Sequence, residues 1–117
     1  MRQPPSIDAY GGGGFRVSGE RREGSLLIIG DVASAWPVRA MDELTLEHLQ
    51  PALERPGVVE FVLLGTGAVQ ALPPRAIRDA LAAARIGLEF MDTATAARLY
   101  NVLASDGRRL AAALIAI

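Results

Sequence analysis

The stretch from Val58 to Pro74 constrains the fold more than any other part of the chain. It opens with a nearly continuous apolar run, which is typical of a buried β-strand, and that run ends at Gly65-Thr66-Gly67. A loop follows as far as Pro73. Pro74 suits the first position of a helix, because the N–H that proline lacks would have no partner there. The stretch therefore predicts a buried strand, a loop and a helix, which is the repeating unit of an α/β sheet.

The same alternation continues to the C-terminus. The pattern predicts a helix over Pro74–Arg85, a strand over Gly87–Met91, a helix over Thr93–Ser105 and a strand over Leu110–Ile117. Asp92 is the predicted N-cap of the helix over Thr93–Ser105. The apolar face of that helix is predicted to bury Ala96, Leu99, Val102 and Leu103.

The N-terminal half is rich in strand patterns. Ile7–Tyr10 is predicted to be a short strand. An alternating strand at Phe15–Ser18, a polar turn at Gly19–Gly24 and an apolar strand at Ser25–Ile29 together predict a β-hairpin. Val32–Val38 is predicted to lie at a sheet edge, because the proline within it cannot donate a ladder hydrogen bond.

One helix is predicted between the two halves. Thr45 is its predicted N-cap and Leu46–Glu54 its extent, with a kink or break at Pro51 and an end at Arg55-Pro56-Gly57. The chain is thus predicted to be one α/β domain over residues 1–117. Its expected architecture is a three-layer sandwich with a mixed, largely parallel central sheet and an N-terminal antiparallel β-hairpin addition.

Composition excludes several function classes. The 12 basic and 13 acidic residues give a net charge of −1, so no cationic surface for nucleic acid is expected. There is no cysteine, and His48 is the single histidine, predicted to be solvated, so we expect no metal site. Every basic residue is arginine, which removes lysine-based catalysis. We therefore predict no catalytic residues and no cofactor.

Neither end of the sequence carries a membrane signal. The first fourteen residues contain no apolar core of the kind a secretory signal needs. The longest apolar run, Leu110 to Ile117, has eight residues and is too short to span a bilayer. We expect a cytoplasmic protein with no transmembrane segment.

Two predicted strands end in polar or glycine-rich sequences. Ligands of open α/β sheets bind in the crevice beyond the carboxyl ends of the parallel strands. Gly65, Thr66 and Gly67 would form one wall of such a crevice, and Asp92 with Thr93 the other. The loop residue Gln70 would lie nearby. These six residues are the candidate site, although the sequence favours a helix cap for Asp92, which could serve both purposes at a crevice.

A dinucleotide site is not supported at this crevice. The sequence GTGAVQ has the first two glycines of G-x-G-x-x-G, but Gln70 stands in place of the third. Pro74 at the helix start supplies no N–H to a phosphate. The glycines are therefore interpreted as a tight exit from the strand.

The four-glycine run Gly11–Gly14 allows two interpretations. Glycine adopts positive φ without steric cost, so the run could be a flexible turn. Successive backbone N–H groups could also form an anion-binding nest. The sequence favours the turn.

Several segments together resemble one small protein family. They are IDAYGGGGFRV, GSLLI, EFVLLGTG, the Leu72-Pro73-Pro74 helix start, GLEFMDT, AARLYNVL and GRRLAAALI, and they cover nearly the whole chain. The family consists of single-domain proteins of unknown function and includes the mitochondrial assembly factor 3 of NADH dehydrogenase, respiratory complex I. The resemblance implies a three-layer α/β fold with a mixed sheet, in agreement with the patterns above.

The resemblance also implies a function. For the mitochondrial members it implies an accessory role in building respiratory complex I through protein partners. We therefore expect a bacterial, non-enzymatic assembly protein, peripheral to the inner membrane through its partner. The alternative is a small-molecule or anion-binding protein, or an enzyme, that uses the candidate crevice. The sequence does not predict an oligomeric state.

Overall fold

The computed structural model describes residues 3–55 and 57–117, so the predicted helix end at Pro56 lies outside the described residues. Within these ranges the strands are β1 (Ile7–Gly11), β2 (Gly14–Val17), β3 (Glu20–Glu23), β4 (Ser25–Ile29), β5 (Val32–Trp36), β6 (Phe61–Gly65), β7 (Gly87–Met91) and β8 (Leu110–Leu114). The α-helices are α1 (Gln50–Leu53), α2 (Arg75–Ala83) and α3 (Thr93–Ser105), and short 3₁₀ turns cover Met41–Glu43 and Leu46–Leu49.

The central sheet has five strands in the order β5-β4-β8-β6-β7. The pairs β4–β5 and β4–β8 are antiparallel, whereas β8–β6 and β6–β7 are parallel. The predicted mixed α/β sheet is therefore confirmed, with its parallel pairs in the C-terminal half. All five residues of β4, β6 and β8 are buried, which explains why these strands are continuous apolar runs.

Both faces of this sheet are covered, as a three-layer fold requires. One core contains alternate residues of β4 and β6 packed against α1 and α2, with Leu49, Ile77 and Leu81 among its buried members. The other core contains the remaining residues of β4 and β6 packed against α3 and a second sheet, with Phe15 and Tyr100 among its buried members. Because strand residues alternate between faces, a continuous apolar strand serves both cores.

The N-terminal addition differs from the predicted hairpin. It is a separate three-stranded antiparallel sheet in the order β1-β2-β3. The partner of β2 is β3, not Ser25–Ile29, and the segment Gly19–Gly24 that was predicted to be a turn contains that strand. The actual turn is Ser18-Gly19, where both residues have positive φ (48° and 85°). The prediction was wrong because β3, Glu-Arg-Arg-Glu, has no apolar residue to signal a strand.

The helix predicted over Leu46–Glu54 is broken at Pro51, as expected. Its first part is a 3₁₀ turn and its second part is α1, with Pro51 in the first turn of α1. His48 lies partly buried at the junction with its ring edge-on to Trp36. The Thr45 N–H donates to His48 Nδ1 at 3.0 Å, so the His48 side chain completes the cap of this turn.

Helix α3 is capped by Asp92 as predicted, and Ala96 is buried as predicted. Leu99 and Leu103 are only partly buried, and Val102 is 58% exposed rather than buried. The buried stripe of α3 includes Ala96, Tyr100 and Ala104. Val102 lies two residues from Tyr100, which is about 200° around a helix, and therefore points away from the core. No helix among the described residues has the length and apolar character needed to cross a membrane.

Helix α3 also anchors the N-terminal strand. Asn101 Oδ1 accepts from the Ile7 N–H at 2.9 Å, and Asn101 Nδ2 donates to the Ile7 carbonyl at 2.8 Å. The Tyr100 hydroxyl donates to the Pro5 carbonyl at 2.8 Å. The Asn101 amide thus substitutes for a neighbouring strand at the outer edge of β1.

Replacing Asn101 with leucine tests this anchor. Asn101→Leu keeps a similar side-chain volume but leaves the Ile7 N–H and carbonyl without their partners, so we expect a loss of about 1–3 kcal/mol in the free energy of unfolding. The exposed neighbour Val102→Ala is the control and should change it by less than about 0.5 kcal/mol. Urea unfolding followed by circular dichroism measures both. Equal effects of the two substitutions would contradict the anchoring role.

Candidate functional site

The two strand ends that form the candidate site are neighbours in the sheet. Strands β6 and β7 are parallel and in register, with Gly65 opposite Met91. Beyond them the two chains stay hydrogen-bonded: the Thr66 N–H donates to the Met91 carbonyl and the Thr93 N–H donates to the Gly67 carbonyl, both at 2.8 Å. The segments after β6 and β7 therefore extend the ladder instead of separating into an open cleft.

Thr93 occupies the centre of this junction. It has no exposed surface, and its hydroxyl donates to the Ile115 carbonyl at 2.7 Å while accepting from the Gly67 N–H at 2.9 Å. Ile115 follows β8, and its N–H donates to the Gly65 carbonyl at 3.0 Å. One buried hydroxyl thus connects the ends of β6 and β8 with the start of α3.

Thr66 organises the loop after β6. Its hydroxyl lies 2.7 Å from the Val69 carbonyl and 3.1 Å from the Met91 carbonyl, and it accepts from the Ala71 N–H at 3.1 Å. The side chain is 6% exposed. Gln70 lies on the outside of this loop, where Nε2 is 3.4 Å from the Phe90 carbonyl. The hydroxyl of Thr66 is used to fold the loop and not to face solvent.

The two glycines are required for different reasons. A Cβ at Gly65 would lie 2.9 Å from both Leu114 Cδ2 and Thr93 Oγ1, so the backbone is packed against its neighbours. Gly67 has φ of +110°, a conformation that other residues rarely adopt. Gly65 permits close packing, and Gly67 permits the turn that brings its N–H to Thr93.

Asp92 caps α3. Its Oδ2 accepts from the Thr95 N–H at 3.1 Å and its Oδ1 accepts from the Thr95 hydroxyl at 2.8 Å. The Thr95 hydroxyl, and then its backbone N–H, hold the pKa of the Asp92 carboxyl below its ordinary value of 3.8. A general base that works near neutral pH needs a raised pKa, so this carboxylate is tuned in the opposite direction.

The candidate residues therefore come together, but as a closed junction. Three surface cavities of about 320–370 Å³ are formed by other residues, at the β4–β5 hairpin, beside its turn, and between β7 and α3. Among residues 3–55 and 57–117, no three histidine or acidic side chains lie close enough together to hold a metal ion. Chemically, the junction offers internal hydrogen bonds and one surface carboxylate.

The four-glycine run forms a turn between β1 and β2. The carbonyls of Gly11 and Gly12 accept from the Arg21 guanidinium at 3.0 and 2.9 Å. The Gly13 N–H donates to the Ile117 carbonyl. The turn therefore presents carbonyl oxygens to a cation, which is the opposite polarity to an anion-binding nest.

Two features of the site region escaped the sequence analysis. The first is the double hydrogen bond of the Thr93 hydroxyl, whose partners lie 26 and 22 residues away in the chain. The second is Ser25, which is 4% exposed and accepts from the Ala116 N–H at 2.9 Å. For Ser25 the available signal is its place at the start of an apolar strand, where a buried hydroxyl needs a partner; the polar sequence around Thr93 gives no such signal.

Comparison with known proteins identifies the family. A profile described as "Protein of unknown function (DUF498/DUF598)" matches residues 7–115. The chain belongs to this family. An uncharacterized family relative from Rhodobacter capsulatus is 42% identical over 93% of this chain and 82% of its own length. The bovine NADH dehydrogenase [ubiquinone] 1 alpha subcomplex assembly factor 3 is 32% identical over 93% of this chain, which spans 59% of that longer protein.

Solved structures of related proteins have the same fold as this member of the DUF498/DUF598 family. An outer membrane protein from Bartonella henselae is 34% identical, with a TM-score of 0.89 over 99% of this chain and 98% of its own. A Bordetella pertussis protein described as a Mth938-like domain is 29% identical, with a TM-score of 0.81 over 96% of this chain and 85% of its own. The resemblance inferred from the sequence is confirmed.

A threonine-to-valine substitution tests the closed junction. Thr93→Val keeps the shape but leaves the buried Gly67 N–H and Ile115 carbonyl unpaired, so the free energy of unfolding should fall by about 2–4 kcal/mol. Thr93→Ser keeps the hydroxyl and should cost only about 1 kcal/mol for the lost methyl. Chemical denaturation measures both variants. A valine variant as stable as the serine variant would show that the hydroxyl is not needed.

The lowered pKa of Asp92 predicts an acid-sensitive contribution to stability. A carboxyl whose pKa is lower in the folded state stabilises the fold above its unfolded pKa, near 3.8, and loses this effect as the pH falls through the folded pKa. The difference in melting temperature between wild type and Asp92→Asn should therefore shrink as the pH falls from 5 to 2. Thr95→Val removes the hydroxyl that donates to the Asp92 carboxylate, so it should reduce the part of the stability that is lost in acid. A difference independent of pH would contradict the capping account.

Proposed function

We propose that this protein is a non-enzymatic accessory protein that supports the assembly of respiratory complex I through protein–protein contacts. The observation that carries the proposal is the match to assembly factors of NADH dehydrogenase, which extends over 93% of this chain. The match therefore covers both sheets and all three helices instead of a single motif.

The chemistry of the strand ends supports a binding role over an enzymatic one. The hydroxyls of Thr66 and Thr93 are engaged in internal hydrogen bonds, and Asp92 is engaged in capping. A reaction site needs groups that are free to contact a substrate and a volume in which to hold it. The packing of Gly65 against Thr93 and Leu114 leaves no such volume at that point.

An ordered apolar loop offers a surface for a partner. Val69 is 71% exposed and Leu72 is 64% exposed, although Thr66 holds the loop that carries them in place. Exposed apolar side chains on a preorganised loop bind a partner at a lower entropic cost than a flexible segment would. In this proposal the protein acts in the cytoplasm and reaches the inner membrane through subunits of the complex that it helps to build.

The alternative is a small-molecule or anion-binding protein that uses Gly65, Thr66, Gly67, Gln70, Asp92 and Thr93. Only Gln70 and Asp92 present polar groups at the surface of this set, and they could contact a ligand without displacing buried hydrogen bonds. Both functions can be separated in one complementation experiment, because the assembly role makes no use of these two side chains.

Gene deletion in the native host is the test. We expect deletion to lower the amount of assembled complex I on native gels and the rate of NADH oxidation by isolated membranes. The wild-type gene should restore both. A gene carrying Gln70→Ala and Asp92→Asn should restore them equally, since these changes leave the buried junction and the apolar loop intact.

Two results would contradict the proposal. Unchanged complex I levels and NADH oxidation after deletion would remove the assembly role. Failure of the folded double variant to complement, with success of the wild type, would favour the crevice-binding alternative.

A further inference from the structure

The outer edge of β5 carries an unpaired set of backbone groups. In β4–β5, Ile29 faces Val32 and Leu27 faces Ser34. A two-residue turn is closed by a hydrogen-bonded pair, here Ile29 and Val32, and hydrogen-bonded pairs alternate along an antiparallel ladder. Val32 and Ser34 therefore form their backbone hydrogen bonds with β4. Ala33 and Ala35 direct their N–H and carbonyl groups outward, away from β4. In the part of the chain that the structure describes, these outward groups have no other backbone or side-chain partner.

The other sheet edges are protected and β5 is not. The edge of β1 is occupied by Asn101, whose amide bonds to Ile7. Strand β3 consists entirely of charged residues, and β7 carries Glu89 while its Phe90 carbonyl is approached by Gln70. Strand β5 reads Val-Ala-Ser-Ala-Trp and carries no charge; Pro37 follows its last residue, but the outward groups of Ala33 and Ala35 precede this proline. Natural proteins block edges that must not pair, so an unblocked edge indicates an edge that does pair.

We propose that β5 pairs with β5 of a second copy of this chain, giving a two-fold symmetric dimer with a continuous sheet. The small exposed side chains allow a close approach: Ser34 and Ala35 are exposed and Ala33 is partly exposed. In this dimer, the outward N–H and carbonyl groups of Ala33 in each copy bond to those of Ala35 in the other copy. The symmetry gives two such hydrogen-bonded pairs. The two-fold axis passes between the two copies of Ser34.

The groove beside this edge fits the same symmetric partner. It has a volume of about 340 Å³ and is lined by Leu27, Ile29, Val32, Ser34, Pro51, Glu54 and Arg55. Val32 is 67% exposed there, and cross-strand pairing buries it against the partner. Across the axis the two β4 strands lie three strand spacings apart, about 14 Å, a gap that side chains from both copies can span. Each copy has one acidic residue, Glu54, and one basic residue, Arg55, at the groove, so a second copy can offer an opposite charge to each.

This self-complementarity selects a second copy over a different protein as the occupant. The strand offers donors and acceptors in a pattern that its own sequence satisfies when it is turned by 180°. The groove carries both an acidic and a basic side chain, so a second copy brings a charge of each sign to it. This dimer would form whether or not the protein has the assembly role.

Charge substitutions at Ser34 test the register. Ser34→Lys places two ammonium groups opposite each other at the axis and should raise the dimer dissociation constant at least about tenfold; Ser34→Glu should do the same with carboxylates. An equimolar mixture of the two variants should form the dimer again, because opposite charges then face each other. Sedimentation equilibrium measures the constants, and circular dichroism verifies that each variant is folded. Glu89→Lys, on the edge of β7, is the matched control and should leave the dimer unchanged.

Three outcomes would overturn the proposal. The first is a wild-type protein that stays monomeric up to millimolar concentration. The second is a wild-type dimer that Ser34→Lys leaves intact. The third is a pair of folded monomeric variants that do not associate when mixed, which would place the pairing register or the interface elsewhere.

Discussion

The fold depends on the buried hydroxyl of Thr93. Parallel strands β6 and β7 end side by side, and the chain must leave both ends without exposing unpaired backbone groups in the core. The Thr93 hydroxyl provides the missing partners: it accepts a hydrogen bond from the Gly67 N–H after β6 and donates one to the Ile115 carbonyl after β8. Because three elements meet at this one side chain, the region where α/β proteins often bind ligands is here filled by the protein itself.

Much of the architecture was predictable because the residues involved act locally. A run of apolar residues flanked by turn formers specifies a buried strand, and an aspartate before a helix specifies a cap, as Asp92 shows. The hydrophobic pattern of β4, β6 and β8 likewise specifies a sheet covered on both faces. These features need no knowledge of distant partners.

The rest depended on contacts that sequence patterns do not contain. Strand β3 is charged throughout and is a strand only because β2 pairs with it. The sequence also grouped Thr93 with a ligand crevice, since polar residues at strand ends are common in binding sites. Nothing in the sequence shows that Gly67 and Ile115 would reach it first. The position of β5 at a sheet edge was predictable from Pro37, but its lack of protection became meaningful only beside the other edges.

We propose that the junction at Thr93 stays closed in the native state, so that the proposed assembly role uses the surfaces of the protein and not a strand-end pocket. Native-state hydrogen exchange of the Gly67 amide, which donates to the Thr93 hydroxyl, tests this most directly. We predict that the Gly67 amide exchanges only by global unfolding, with the same free energy as the Leu63 amide in the middle of β6. Exchange of Gly67 by local opening at a much lower free energy, while Leu63 stays protected, would show that the crevice opens and would contradict this account.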